Sequence, residues 1–106
     1  MRPISETLKI LIATVEDVVR LPQKAQSLRQ SAFPELAAEI RRLDRLPAEG
    51  VRTTAAAVVM VTCLEQLADG LNEKGSPWLM LAGAALPLLR AEAWSALNNE
   101  RELSRG

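Results

Sequence analysis

The apolar positions of this chain fall into four helical stretches separated by proline and glycine. In the first, Ile4, Leu8, Leu11, Val15 and Val18 recur at helical spacing, while Ile10, Ile12 and Val19 widen the seam beyond one face. This predicts a helix from about Ser5 to Arg20, with Ser5 as N-cap and Glu6 in the first turn, which Pro22 ends or kinks. Residues 23–31 are polar apart from Ala25 and Leu28, which fits a surface helical turn or a continuation of the helix past the kink. Pro34 and Glu35 then open a second helix carrying one narrow stripe, Leu36, Ile40 and Leu43, with Leu46 beyond it. Its other flank shows Arg41, Arg42 and Arg45, which with Arg52 form a solvated face balanced by Glu39, Asp44 and Glu49.

The second half is patterned differently. Thr53–Leu64, TTAAAVVMVTCL, and Pro77–Leu89, PWLMLAGAALPLL, contain no charged residue. A helix apolar on more than one side must be covered on more than one side. The third helix is expected from about Val51 to Leu71, with Ala57, Met60, Val61, Leu64, Leu67, Ala68 and Leu71 as its main stripe. Val58, Val59, Thr62 and Cys63 add a second side. Gly75 followed by Ser76 and Pro77 marks the end of that helix and the start of the next. The fourth helix is expected to reach about Asn98 and to bend at Pro87. Its seams are Leu79, Ala82, Leu86, Leu89, Ala93 and Leu97 on one side, and Trp78, Leu81, Ala85 and Leu88 on another. The fold expectation is an all-α, four-helix bundle-like domain over residues 1–98, with 99–106, NERELSRG, as a frayed polar tail.

Composition narrows the function. The chain has 106 residues, 48% of them hydrophobic, with Leu, Ala, Val and Ile far outnumbering the aromatics Phe33, Trp78 and Trp94. Thirteen basic and thirteen acidic residues cancel, which removes the electrostatic drive toward nucleic acid. A helix-turn-helix over the second and third helices would present TTAAAVVMVTCL to base edges, and that segment offers little besides two threonines. There is no histidine to act as a base near neutral pH or to complete a metal-binding motif, no glycine-rich phosphate loop, and no basic partner for any serine. Neither enzyme, cofactor nor metal is expected. The single cysteine, Cys63, lies in an apolar run and reads as a small buried hydrophobe rather than a reactive thiol. The N-terminal stretch carries Glu6 and Lys9 where a signal peptide would be apolar, and the uncharged runs fall short of the roughly 20 residues that span a bilayer. The most apolar helices also lack the basic flanks of a membrane-surface helix. A soluble cytoplasmic protein is expected.

What remains is protein binding. Covering a further 600–800 Å² or so per chain would contribute roughly 15–20 kcal/mol gross, most of it offset by association costs. A homodimer on the third and fourth helices is therefore expected, through Val58, Val59, Cys63, Trp78, Leu81, Ala85 and Leu88. The wide first helix supplies a surface for a different protein: Leu8, Leu11, Ile12 and Val15, with Phe33 at the rim. The competing reading is that this helix packs on the third and fourth and its seam is core.

In size, helical pattern, low aromatic content and lack of chemistry, the chain resembles the small bacterial anti-activators of quorum-sensing transcription factors, the QslA-like proteins. The resemblance is one of overall character. It lies in LPQKAQSLRQSAFPELAAEIRRLDRLPAEGVRTTAAAVVMV and SPWLMLAGAALPLLRAEAW rather than in a compact motif. It implies a dimeric helical protein without cofactor that binds a transcription regulator of the LasR type and blocks that regulator's dimerisation and DNA binding. The alternative with the same profile is an antitoxin, immunity or phage-encoded inhibitor protein acting by stoichiometric binding.

Overall fold

The structure, a computed structural model, describes residues 3–44, 49–69 and 77–105. It is all-α, with no strand among those residues. Helix α1 spans Ile4–Arg20, a 3-10 segment Pro22–Gln30, α2 Phe33–Asp44, α3 Glu49–Ala68 and α4 Pro77–Arg105. Helix α4 packs chiefly on α1 along one flank and on α3 along the other, while α2 and the 3-10 segment lie against α3. At 29 residues α4 is about 43 Å long at the usual rise, and it sets the longest dimension of the molecule, 48 Å.

The core follows the main stripes. Leu8, Leu11, Val15 and Val18 of α1 meet Ile40 of α2, Met60, Val61, Leu64 and Leu67 of α3, and Ala82 and Leu89 of α4 in one buried cluster. Of the two outcomes open at Pro22, an end or a kink, α1 ends. Leu21 before it leaves the helical region (φ −132°, ψ 86°), as expected where a following proline disfavours the α conformation. The polar 22–30 stretch continues past Pro22 as a 3-10 helix and buries Ala25 and Leu28, its two apolar residues. At the start of α2, Ser31 Oγ accepts the Phe33 N–H at 3.2 Å, a local side-chain cap.

Several expectations change. Ser5 is not the N-cap of α1; Pro3 holds that position and has no side chain to bond with. Ser5 lies inside the helix, and both its N–H (3.0 Å) and its hydroxyl (2.5 Å) donate to the carboxylate of Glu100. An open donor of the first turn is thus satisfied by α4 rather than locally. The same contact holds the 99–105 part of the expected tail as helix. Helix α4 continues past Asn98 to Arg105, with Glu100 anchored on α1. It also continues through Pro87, which is exposed. Helix α3 begins at Glu49, earlier than Val51, and ends at Ala68. Arg45, Leu46, Pro47, Leu71, Gly75 and Ser76, and the side chain of Arg52, lie outside the described residues.

The polar face of α2 is also tied down more than its pattern implied. Glu39 Oε1 accepts the hydroxyl of Thr7, a buried polar residue, at 2.9 Å. Arg41 reaches across to α3 and forms a two-pronged bond with Glu65, Nη1 donating to Oε2 at 2.8 Å and Nη2 to Oε1. This bidentate pairing favours the charged guanidinium and raises its pKa.

Candidate protein-binding surface

The first-helix surface expected to contact another protein is core. Leu8, Leu11 and Val15 are fully buried and Phe33 is nearly so, because α1 turns this seam inward against α4, the 3-10 segment, α2 and α3. Of that set only Ile12 retains exposure, packed at the edge of the core. The outer side of α1 shows Lys9, Ile10, Ala13, Glu16 and Val19 instead.

The residues expected at the self-interface divide in a similar way. Cys63 and Ala85 belong to the core, and burial pushes the Cys63 thiol above its ordinary pKa. Val58 and Trp78 are half-buried against that core. Val59, Leu81 and Leu88 face outward.

These outward residues belong to a broader feature of α4. Between Pro77 and Ser95 its exposed positions are Pro77, Met80, Leu81, Ala84, Pro87, Leu88, Arg90, Ala91, Trp94 and Ser95. Arg90 is the one charged residue among them. It sits at the α1 edge, where Nη2 donates to Glu16 Oε1 at 3.2 Å. The rest form an uncharged arc whose large side chains stay in solvent: Met80 at 69%, Trp94 at 66%, Leu88 at 64% and Leu81 at 43%, with Val59 of α3 adjoining at 43%. Met80, Pro87 and Trp94, seven apart, share the α1 side of the arc, and Leu81, Leu88 and Ser95 share the α3 side. Met80 and Trp94 lie off both apolar seams of the α4 sequence. Their signal was the absence of any charge on the side opposite Leu79, Ala82, Leu86 and Leu89.

Grooves flank the arc. Between α1 and α4 a groove of about 420 Å³ has Ile12, Ala93, Trp94 and Leu97 as its apolar lining, with Lys9, Glu6 and Arg90 at its walls. Between α3 and α4 an open cleft of about 520 Å³ is lined by Ala55, Ala56, Val59, Leu88, Ala91, Glu92 and Ser95. Alanines let the two backbones approach here, and Glu92 lies at the base of the cleft. Its Oε1 accepts the Ala56 N–H at 3.4 Å, whereas Oε2 is buried without a hydrogen-bond partner. Burial raises the Glu92 pKa, and the Ala56 bond opposes that rise. A third groove, about 330 Å³, lies between α1, the 3-10 segment and the start of α2, with Ile10, Thr14, Lys24 and Phe33 in its lining.

Among the described residues no group of three or more His, Cys, Asp or Glu is placed to hold a metal ion. No described helix is long and apolar enough to cross a membrane. No family model, characterised protein or solved structure matches the chain.

Proposed function

We propose that the protein is a non-enzymatic binding module that works as a homodimer and inhibits a second protein by stoichiometric association. The observation that carries this reading is the uncharged, solvent-facing arc of α4, with Met80, Leu81, Leu88 and Trp94 exposed together. Isolated exposed apolar residues are ordinary, but a contiguous patch of this kind marks a contact surface. An inert scaffold would gain solubility from charge at these positions.

The two sides of the arc divide the labour. The α3 side, Val59, Leu81 and Leu88, is the self-contact. The α1 side presents Trp94 beside the groove that contains Ile12, and an exposed tryptophan next to an apolar groove is the usual composition of a binding hot spot. The partner best supported by the overall resemblance is a dimeric transcription regulator of the LasR type. Occupying an apolar dimerisation face of such a regulator needs shape and apolar area rather than catalysis. The regulator would then be held away from DNA one-for-one. Ile12 retains the role expected of the first helix, while Leu8, Leu11, Val15 and Phe33 support it from inside.

Affinity capture from a cell extract, with wild type and Trp94→Glu as parallel baits, tests this reading. A transcription regulator retained in near-stoichiometric amount by wild type and lost with Trp94→Glu is the expected result. Capture of a toxin or nuclease would replace the anti-activator reading with the inhibitor alternative. Equal capture by both baits would remove α4 from the contact.

A further inference from the structure

On the α3 side of the arc, six exposed positions follow one another along α4: Pro77, Leu81, Ala84, Leu88, Ala91 and Ser95. Their spacing alternates between four and three residues, the repeat by which two helices pack side by side along a seam. Their order is also self-complementary. Pro77 and Ser95, Leu81 and Ala91, and Ala84 and Leu88 are each placed symmetrically about position 86.

We infer that a second copy of this chain lies antiparallel on this stripe, with the two-fold axis crossing at the height of Leu86. Leu81 then sits over the second copy's Ala91, and Leu88 over its Ala84. Each large side chain enters the gap left by a small one, and the two-fold repeats every contact. A parallel, in-register pair would set Leu88 against Leu88 and Ala84 against Ala84, which alternates crowding with voids. The antiparallel arrangement also opposes the helix dipoles rather than aligning them. None of the six residues is charged, so the pairing brings no like charges together.

The size suits a reversible dimer. From Pro77 to Ser95 the stripe is about 27 Å long at the usual helical rise. Together with the adjoining edge of α3 at Val59 it is about 20 Å wide, two helices side by side. That gives roughly 500 Å² per copy and roughly 1,000 Å² in the pair, the lower bound for a specific interface. Trp94 lies on the other side of the arc and stays open, so the dimer presents two copies of the α1/α4 groove. The inference rests on the protein-binding reading of α4 and adds the identity and register of one occupant.

Cysteine trapping tests it, because the native thiol Cys63 is buried and does not compete. The single variants Ala84→Cys, Leu88→Cys and Ala91→Cys change solvent-facing positions and leave the core untouched. Under mild oxidation an equimolar mixture of Ala84→Cys and Leu88→Cys should yield a disulfide-linked pair containing one chain of each. Ala84→Cys and Ala91→Cys alone should link at least tenfold less. Self-linkage of Ala91→Cys, with sedimentation showing wild type to be dimeric, would overturn the antiparallel register while leaving the dimer intact. Wild type sedimenting only as a monomer at the trapping concentration would overturn both the register and the homodimer it depends on.

Discussion

Leu11→Ala separates the two roles available to the first helix. Leu11 is fully buried in the cluster shared with α2, α3 and α4, so truncation removes its apolar contacts and leaves a void that rigid neighbours fill incompletely. Substitutions of this type cost about 2–5 kcal/mol, and the closed setting of Leu11 puts the expectation near 3 kcal/mol. A chain of this length has about 5–15 kcal/mol of stability to lose. With a urea dependence of about 1–3 kcal/mol per molar, the unfolding midpoint should fall by roughly 1–3 M in far-ultraviolet circular dichroism. Leu88→Ala deletes the same atoms at an exposed site. Measured at protein concentrations low enough to suppress association, it should stay within about 0.5 kcal/mol of wild type. Equal losses for the two variants, or a larger loss for Leu88→Ala, would refute the assignment of the α1 seam to the core and of Leu88 to the surface.

Three other perturbations address separate parts of the structure. Because burial raises the Glu92 pKa, the folded state holds this proton more tightly than the unfolded chain; stability is therefore greatest below the ordinary carboxylate range and falls as pH rises through the raised value. Glu92→Gln should flatten that part of the profile, read by thermal unfolding across pH. Glu100→Ala removes the acceptor of both Ser5 donors and should cost about 1 kcal/mol, together with faster amide exchange at the start of α1. Cys63, buried and with a raised pKa, should resist thiol reagents in the native protein and react at once in denaturant; rapid native labelling would show that α3 opens locally.

The helical class and most of the core were legible as periodicity, since Leu8, Leu11, Val15, Ile40, Met60, Leu64 and Leu89 all lie on stripes that the structure buries. The break at Pro22 was legible because proline constrains the residue before it. The end of α4 was not, because its last turns are polar and Glu100 acts through a contact 95 residues away in the chain. Arg41 likewise points away from its own helix neighbours to Glu65. The surface was harder still. A wide apolar arc has the same pattern whether a neighbouring helix or another protein covers it, and only the packing decides. The main seam of α1 is covered by neighbouring helices, whereas its extra width at Ile10 and Val19, like the wide arc of α4, faces solvent. Thus Leu11 and Leu88, alike in type and in helical context, have opposite environments.

Sedimentation equilibrium of wild type and Leu88→Glu over the micromolar range tests the claim that the α4 arc is a contact surface most directly. Wild type should move with concentration toward twice its 11.6 kDa monomer mass. Leu88→Glu, with unchanged helicity, should remain at the monomer mass, since the charge enters an exposed position that becomes buried only on association. A wild type that stays monomeric throughout, or a Leu88→Glu variant that associates as strongly as wild type, would contradict it.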